Sequence, residues 1–133
     1  MPTVSLLATL VATVLAFAVG AVWYGPLFGK PWLAEMGLTA EDIKKKEFNP
    51  AKIYGTTFVL ALVAAYVFGM FLGPNPGLSF AMGAGFAAGL FWVAASIGTN
   101  YLFEDRSLRL WLINGGYHTV RFTLIGLAFG LLG

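Results

Sequence analysis

The chain has 133 residues, 59% of them apolar and only 11% charged, with a net charge of +2 and a mean hydropathy of +0.80. Soluble domains carry about 25% charged residues, so an all-α integral membrane protein is expected, folded as a single domain over residues 1–133. Apart from Arg121, basic residues lie in or beside loops, which argues against nucleic acid as a partner, and the absence of cysteine excludes thiol catalysis, disulfides and thiolate metal sites.

A helix needs roughly 20 apolar residues to cross a hydrocarbon core. The first such run covers 4–24. A secretory leader would need a basic start and a shorter apolar stretch, and Met1-Pro2-Thr3-Val4-Ser5 opens neither, so an uncleaved helix is expected. Gly25-Pro26 is expected to close it. The connection 25–49 is the one long loop. A short helix is expected there from Thr39, with Glu41 and Asp42 in its first turn and Lys44-Lys45-Lys46 in its last, an order that complements the helix dipole. The triple lysine reads as a solvated turn facing lipid headgroups. Asn49-Pro50 opens the second span, 53–72, with Asn as the cap and Pro in the first turn. Gly73-Pro74-Asn75-Pro76-Gly77 makes a tight turn into the third span, 78–103. Glu104-Asp105-Arg106-Ser107 then forms a short hairpin into the fourth, 108–132. The expected architecture is four transmembrane helices in an up-down bundle with both termini on one side.

Charge sets the orientation. Lys30, Lys44, Lys45, Lys46 and Lys52 lie in or beside the first connection, and Arg106 and Arg109 in or beside the third; the second connection and both tails have none. The positive-inside rule puts the basic connections in the cytoplasm and the termini outside. Trp23, Tyr24 and Trp32 lie where an interfacial aromatic belt sits.

Every span carries small residues at four-residue spacing: Ala8, Ala12, Ala16 and Gly20; Ala61, Ala65, Gly69 and Gly73; Ala81, Gly85 and Gly89; Gly126 and Gly130. Lipid supplies no hydrophobic drive between helices, so close backbone approach through such stripes holds them together. The stripes serve either packing within the chain or mating with another protomer; a homo-oligomer, in its simplest form a dimer, is expected.

One polar constellation stands out. Asn114, His118 and Arg121 are spaced four and then three apart, within an arc of ~60° on the fourth span. Trp92, Ser96, Thr99, Asn100 and Phe103 share one side of the third. The hairpin makes these two helices antiparallel neighbours, so Asn100 is expected near the level of Asn114 and Ser96 near that of His118, as a polar ladder. Arg121 is the one charge deep in a span, about 21 Å of helical rise from Ser107. An arginine there costs at least ~2.5–3.5 kcal/mol on insertion scales. No acid lies within a span to pair with it. Amides, hydroxyls, free carbonyls, aromatic faces, internal water and a bound anion remain as partners. Proton-coupled cation efflux usually needs an embedded carboxylate. A lone histidine is a poor metal site, and neither a phosphate loop nor a Ser-His-acid set is present.

Three blocks carry a resemblance: Trp23-Tyr24-Gly25-Pro26-Leu27-Phe28-Gly29-Lys30 with Trp32, Asn100-Tyr101-Leu102-Phe103-Glu104-Asp105-Arg106-Ser107, and Ile113-Asn114-Gly115-Gly116-Tyr117. Together they resemble the small bacterial membrane proteins of Domain of Unknown Function 1761 over nearly the whole chain. The resemblance implies a four-helix membrane protein, here of the inner membrane, and brings no activity, cofactor or catalytic residue. The function expected is a small transporter, channel or binding protein. Its anion-favouring site would lie between the third and fourth spans, built from Arg121, His118, Asn114, Asn100 and Ser96, and would take an anionic ligand or lipid headgroup, with no cofactor or metal. The alternative is a structural or accessory membrane subunit whose polar residues only fix helix packing; an enzyme is not expected.

Overall fold

Three of the long helices begin at side chains that accept a hydrogen bond from a backbone N–H three residues on, which satisfies a donor the helix cannot. Ser5 Oγ accepts from Ala8 at 3.1 Å, Asn49 Oδ1 from Lys52 at 3.2 Å and Ser107 Oγ from Leu110 at 3.0 Å. The computed structural model describes residues 4–39, 41–42 and 49–133. The helices are α1 (Leu6–Val22), which continues as a π-turn (Trp23–Leu27), then α2 (Gly29–Met36) and α3 (Pro50–Leu72). After them come α4 (Leu78–Phe103), whose middle (Ala88–Ala94) is also π-wound, and α5 (Leu108–Leu132). Among the described residues there is no strand.

The first span does not close at Gly25-Pro26. Pro26 lies inside the π-turn, and the Phe28 N–H donates to the Trp23 carbonyl at 2.8 Å, a bond spanning five residues. A proline ring clashes with the carbonyl four residues back in a regular α-helix, and the wider π-turn relieves that clash. The connection 25–49 also holds a helix not expected from sequence, α2. Pro31 sits in its first turn, and Gly37, with φ +70°, ends it. The N–H groups of Gly37 and Leu38 donate to the carbonyls of Ala34 and Leu33, a Schellman cap. At Thr39, where the sequence places a helix start, the Asp42 N–H donates to Thr39 Oγ1 and the Thr39 N–H to the Asp42 carboxylate. That reciprocal pair is a capping box. The lysine run 44–46 of that expected helix lies outside the described residues.

Contacts set the long helices antiparallel. Ser5 donates to the Leu132 carbonyl and Trp23 Nε1 to that of Ile113, which pairs α1 with α5 along its length. Phe17 stacks on Phe58, and Val4 lies beside Gly69, which pairs α1 with α3. Gly98 lies against Trp111 and Gly130 against Leu78, which pairs α4 with α5. One end of the molecule thus carries Val4, Ser5, the 73–77 turn and Leu132, hereafter the terminal end. The other carries α2 and the 104–107 turn, hereafter the loop end.

The small-residue stripes are largely taken up inside the chain, Gly73 being the member with nothing packed against it. Ala8, Ala12, Ala16, Ala61, Ala65 and Ala81 are buried. A side chain on Gly85 would run into the Phe122 carbonyl, and one on Gly126 into that of Ala81. Buried Thr9, Thr13 and Thr119 donate to carbonyls four residues back, at 2.7, 2.8 and 2.8 Å. That removes the cost of an unpaired hydroxyl in an apolar core. α5 is central, packed on α1 and α4. α3 leans on α1 and meets α5 near the terminal end, through Phe68 on Phe122 and Gly69 on Phe129. Residues 51–60 of α3 are all exposed, although Phe58 among them meets Phe17 of α1.

Helices Leu6–Leu27, Ala51–Leu72 and Leu78–Phe103 are long and apolar enough to cross a membrane. α5 is as long, but Asn114, His118 and Arg121 make it less apolar. Its start is tied to α2: Ser107 Oγ donates to Glu35 at 3.0 Å, and Arg109 lies 3.9 Å from the same carboxylate. Ser107→Ala removes a cap and this tie together, and is expected to cost ~1 kcal/mol. A lowered thermal midpoint in detergent is the check, and Glu35→Gln should fall by less because the ion pair is exposed.

Candidate functional site

The polar stripe on α5 does different things along its length. Asn114 is a bridge. Tyr24 OH donates to its Oδ1 at 2.5 Å, and its Nδ2 donates to Tyr101 OH at 2.6 Å. The amide therefore joins the π-turn after α1, the loop-end third of α5 and the loop-end half of α4. Both tyrosines are outside the set proposed from sequence. The signal for Tyr24 was its place beside Pro26, where a distorted helix end turns the ring back onto the bundle.

Ser96 and Asn100 do not join the stripe. Both are exposed, and Ser96 Oγ donates to the Trp92 carbonyl of its own helix. The π-segment explains why. Ala81, Gly85 and Gly89 face α5, and an uninterrupted α-helix would continue that face through Trp92, Ser96, Thr99 and Asn100. The π-wound turn lengthens the step from Gly89 to five residues and moves the face to Ala94, Gly98 and Tyr101. Trp111 Nε1 donates to the Ala94 carbonyl at 2.8 Å, Gly98 lies against the Trp111 indole, and Tyr101 receives Asn114. The residues expected to form a ladder are rotated out.

His118 lies at a close approach of α4 and α5: a side chain on Gly89 would fall 2.6 Å from its carbonyl oxygen. Its ring stands 4.8 Å from that of Tyr117, and its Nδ1 is buried with no hydrogen-bond partner among the described residues.

Arg121 turns away from α4. It lines a cavity of about 780 Å³ with Ala16, Phe17, Gly20 and Tyr24 of the first span, Tyr54, Thr57 and Ala61 of α3, and Tyr117. Arg121 thus lines a cleft between α1, α3 and α5 and not one between the third and fourth spans. Three residues separate His118 from Arg121, a rotation of about 60°, which carries the guanidinium off the α4-facing side of α5. The Arg121 Cζ lies 5.1 Å from the centroid of the Phe122 ring. Among the described residues no hydrogen bond or ion pair to its guanidinium occurs.

The cavity is one-sided. Residues at the level of Arg121 form its inner wall, and Tyr24, Gly25, Ile53 and Tyr54 lie toward the loop end. Beyond Arg121, toward the terminal end, Val4, Ala8, Ala12, Ala65, Ile125, Ala128 and Phe129 make one buried apolar cluster. Chemically, the cleft offers one fixed positive charge at the closed end of an apolar, aromatic-rimmed chamber, a form suited to a small ligand.

A small protein, helical with no strand among its described residues, with three membrane-compatible helices among them and a cleft lined by Arg121, is the class these features define. The chain belongs to the family described as Protein of unknown function (DUF1761), which it matches over residues 7–130. No curated protein and no solved structure matches it.

Proposed function

We propose that this chain is a four-span protein of a bacterial inner membrane, with both termini outside, which binds a small anionic molecule at Arg121 as a carrier or receptor. α5 would be the fourth span, its polar stripe shielded by α1 and α4. The orientation is supported by Lys30, Lys52, Arg106 and Arg109, which cluster at the loop end, the end the positive-inside rule assigns to the cytoplasm. In that orientation the cleft opens inward and the apolar cluster seals it from outside.

The observation that carries the reading is a guanidinium that faces a cavity and, among the described residues, has the Phe122 ring beside it but no hydrogen-bond or ion-pair partner. An arginine at membrane depth persists with a partner or a purpose, and Asn114, the side chain best able to help, is committed to two tyrosines. The accessory-subunit reading keeps one observation in its favour: that same amide network fixes helix register and needs no ligand. The two readings divide the stripe, Asn114 for packing and Arg121 for binding. Self-association is no part of this proposal, because the stripes that suggested it are largely occupied within the chain.

Arg121→Met separates them. Native mass spectrometry of gently released protein is expected to show an anionic adduct on the wild type and none on the variant. The variant should be at least as stable, because it relieves an unpaired charge. An identical adduct pattern would overturn the binding site. A marked fall in stability would make Arg121 structural instead.

A further inference from the structure

Resting on the anion-binding reading above, we infer the chemical class of the ligand: a monoanion with an apolar body, in its simplest form a medium-chain carboxylate, bound charge-first with its tail toward the loop end. The charge comes first. Among the described residues Arg121 is the one charged side chain lining the cavity, so a second negative charge on the ligand would be left unneutralised at membrane depth. A guanidinium presents a planar fork that matches a carboxylate with two parallel hydrogen bonds.

Polar bookkeeping along the walls fixes the rest. Tyr24 OH donates to Asn114 and Thr57 Oγ1 donates to the Ile53 carbonyl, so neither hydroxyl proton is free for a ligand. The Tyr117 hydroxyl, one turn from Arg121, has no hydrogen-bond partner among the described residues. The deep end therefore supplies a fork and a neighbouring hydroxyl, while Ala16, Phe17, Gly20, Ala21, Ile53 and Ala61 offer apolar wall. A sugar or polyol would bring more hydroxyls than this lining can satisfy, at a cost for each one buried unpaired. An alkyl or aryl body fits it. Nine residues separate Ala16 from Gly25, roughly 13 Å of helical rise, which is room for a medium-length chain. The sealed terminal end and the exposed 51–60 stretch of α3 make the loop end and its flank the entrance. A phospholipid phosphodiester shares this chemistry, being also a monoanion on an apolar body.

The test uses the full chain in phosphatidylcholine nanodiscs, with empty nanodiscs as reference, and reads thermal stabilisation and calorimetric binding. Probes are decanoate, acetate, decanedioate and decyltrimethylammonium. Decanoate is expected to bind at least about tenfold tighter than each of the others, and about tenfold or more weaker to Arg121→Met, the loss expected for a charge-assisted pair. Arg121→Lys keeps the charge without the fork and should fall between. Ala21→Phe, which narrows the wall and leaves Arg121 intact, should also weaken decanoate. Equal Arg121-dependent binding of acetate and decanoate, or of decanedioate and decanoate, overturns the ligand class while the anion site stands. Tight binding of decyltrimethylammonium overturns it too. If no anion gives an Arg121-dependent response, the anion site itself fails. A further arm replaces part of the phosphatidylcholine with phosphatidylglycerol. Competition with decanoate assigns the same chemistry to a membrane lipid, and no competition assigns it to a free carboxylate.

Discussion

Gly85→Val is expected to prevent α4 and α5 from docking, whereas Gly83→Ala, two residues away in the same helix, is expected to leave the protein as stable or slightly more so. The space around Gly85 is filled by the Phe122 carbonyl and the Thr123 Cα, while nothing lies within 4 Å of where a Gly83 side chain would begin. The contact is reciprocal: Gly126 of α5 meets the Ala81 carbonyl and the Met82 Cα of α4. Each glycine brings its Cα–H against a facing carbonyl, the close approach that small residues permit between helices in lipid. Core overpacking typically costs ~1–3 kcal/mol because side chains can shift. Here the obstacle is the backbone of a neighbouring helix, so the loss should exceed that range. Gly83→Ala instead removes a helix-interior glycine, worth about 0.5–1 kcal/mol in the other direction. Unfolding followed by circular dichroism during titration with a denaturing detergent compares the two. A Gly85→Val protein with the wild-type midpoint would show that α4 and α5 do not pack backbone to backbone.

The same contact shows what was legible in the sequence. Four-residue spacing of alanine and glycine announced which face of each helix would be buried, because in lipid nothing else distinguishes one apolar face from another. Asn49-Pro50 announced a helix start through its cap chemistry. α2 had its own signals in Pro31 and Gly37; proline within the first turn and glycine past the last are helix punctuation, but here they were absorbed into a loop. The π-turns left no such mark. No residue type or period encodes an extra residue in one turn, yet that residue decides whether Ser96 or Ala94 faces α5. The isolated charge was therefore visible in Arg121, which lacks an acid at any sequence distance within a span. Its direction was not, since hairpin adjacency pointed to α4 and the side chain faces α1 and α3.

Asn114→Leu should cost more than any other single change in the polar stripe. The amide spans three helical segments, accepting from Tyr24 and donating to Tyr101 at 2.5 and 2.6 Å. Leucine removes one acceptor and one donor at once and leaves two tyrosine hydroxyls part-buried without them. Each orphaned polar group costs about 1–3 kcal/mol when fully buried and less when water reaches it, so a combined loss of about 2–4 kcal/mol is expected. The asymmetry of hydrogen-bond energetics supplies the control: replacing every partner with an apolar isostere can be nearly neutral, while removing one is not. Tyr24→Phe and Tyr101→Phe introduced together with Asn114→Leu should therefore recover most of the lost stability. Recovery would also separate this network from the charged end of the cavity, because Arg121 and Tyr117 remain untouched in the triple variant and the cavity wall loses only the Tyr24 hydroxyl. An anion bound by wild type and triple variant alike, with stability lost only in the single one, would confine Asn114 to holding α1, α4 and α5 in register. If Asn114→Leu instead unfolds at the wild-type midpoint, the bridge contributes nothing to that register, and α4 is held to α5 by glycine packing and the Trp111 indole alone.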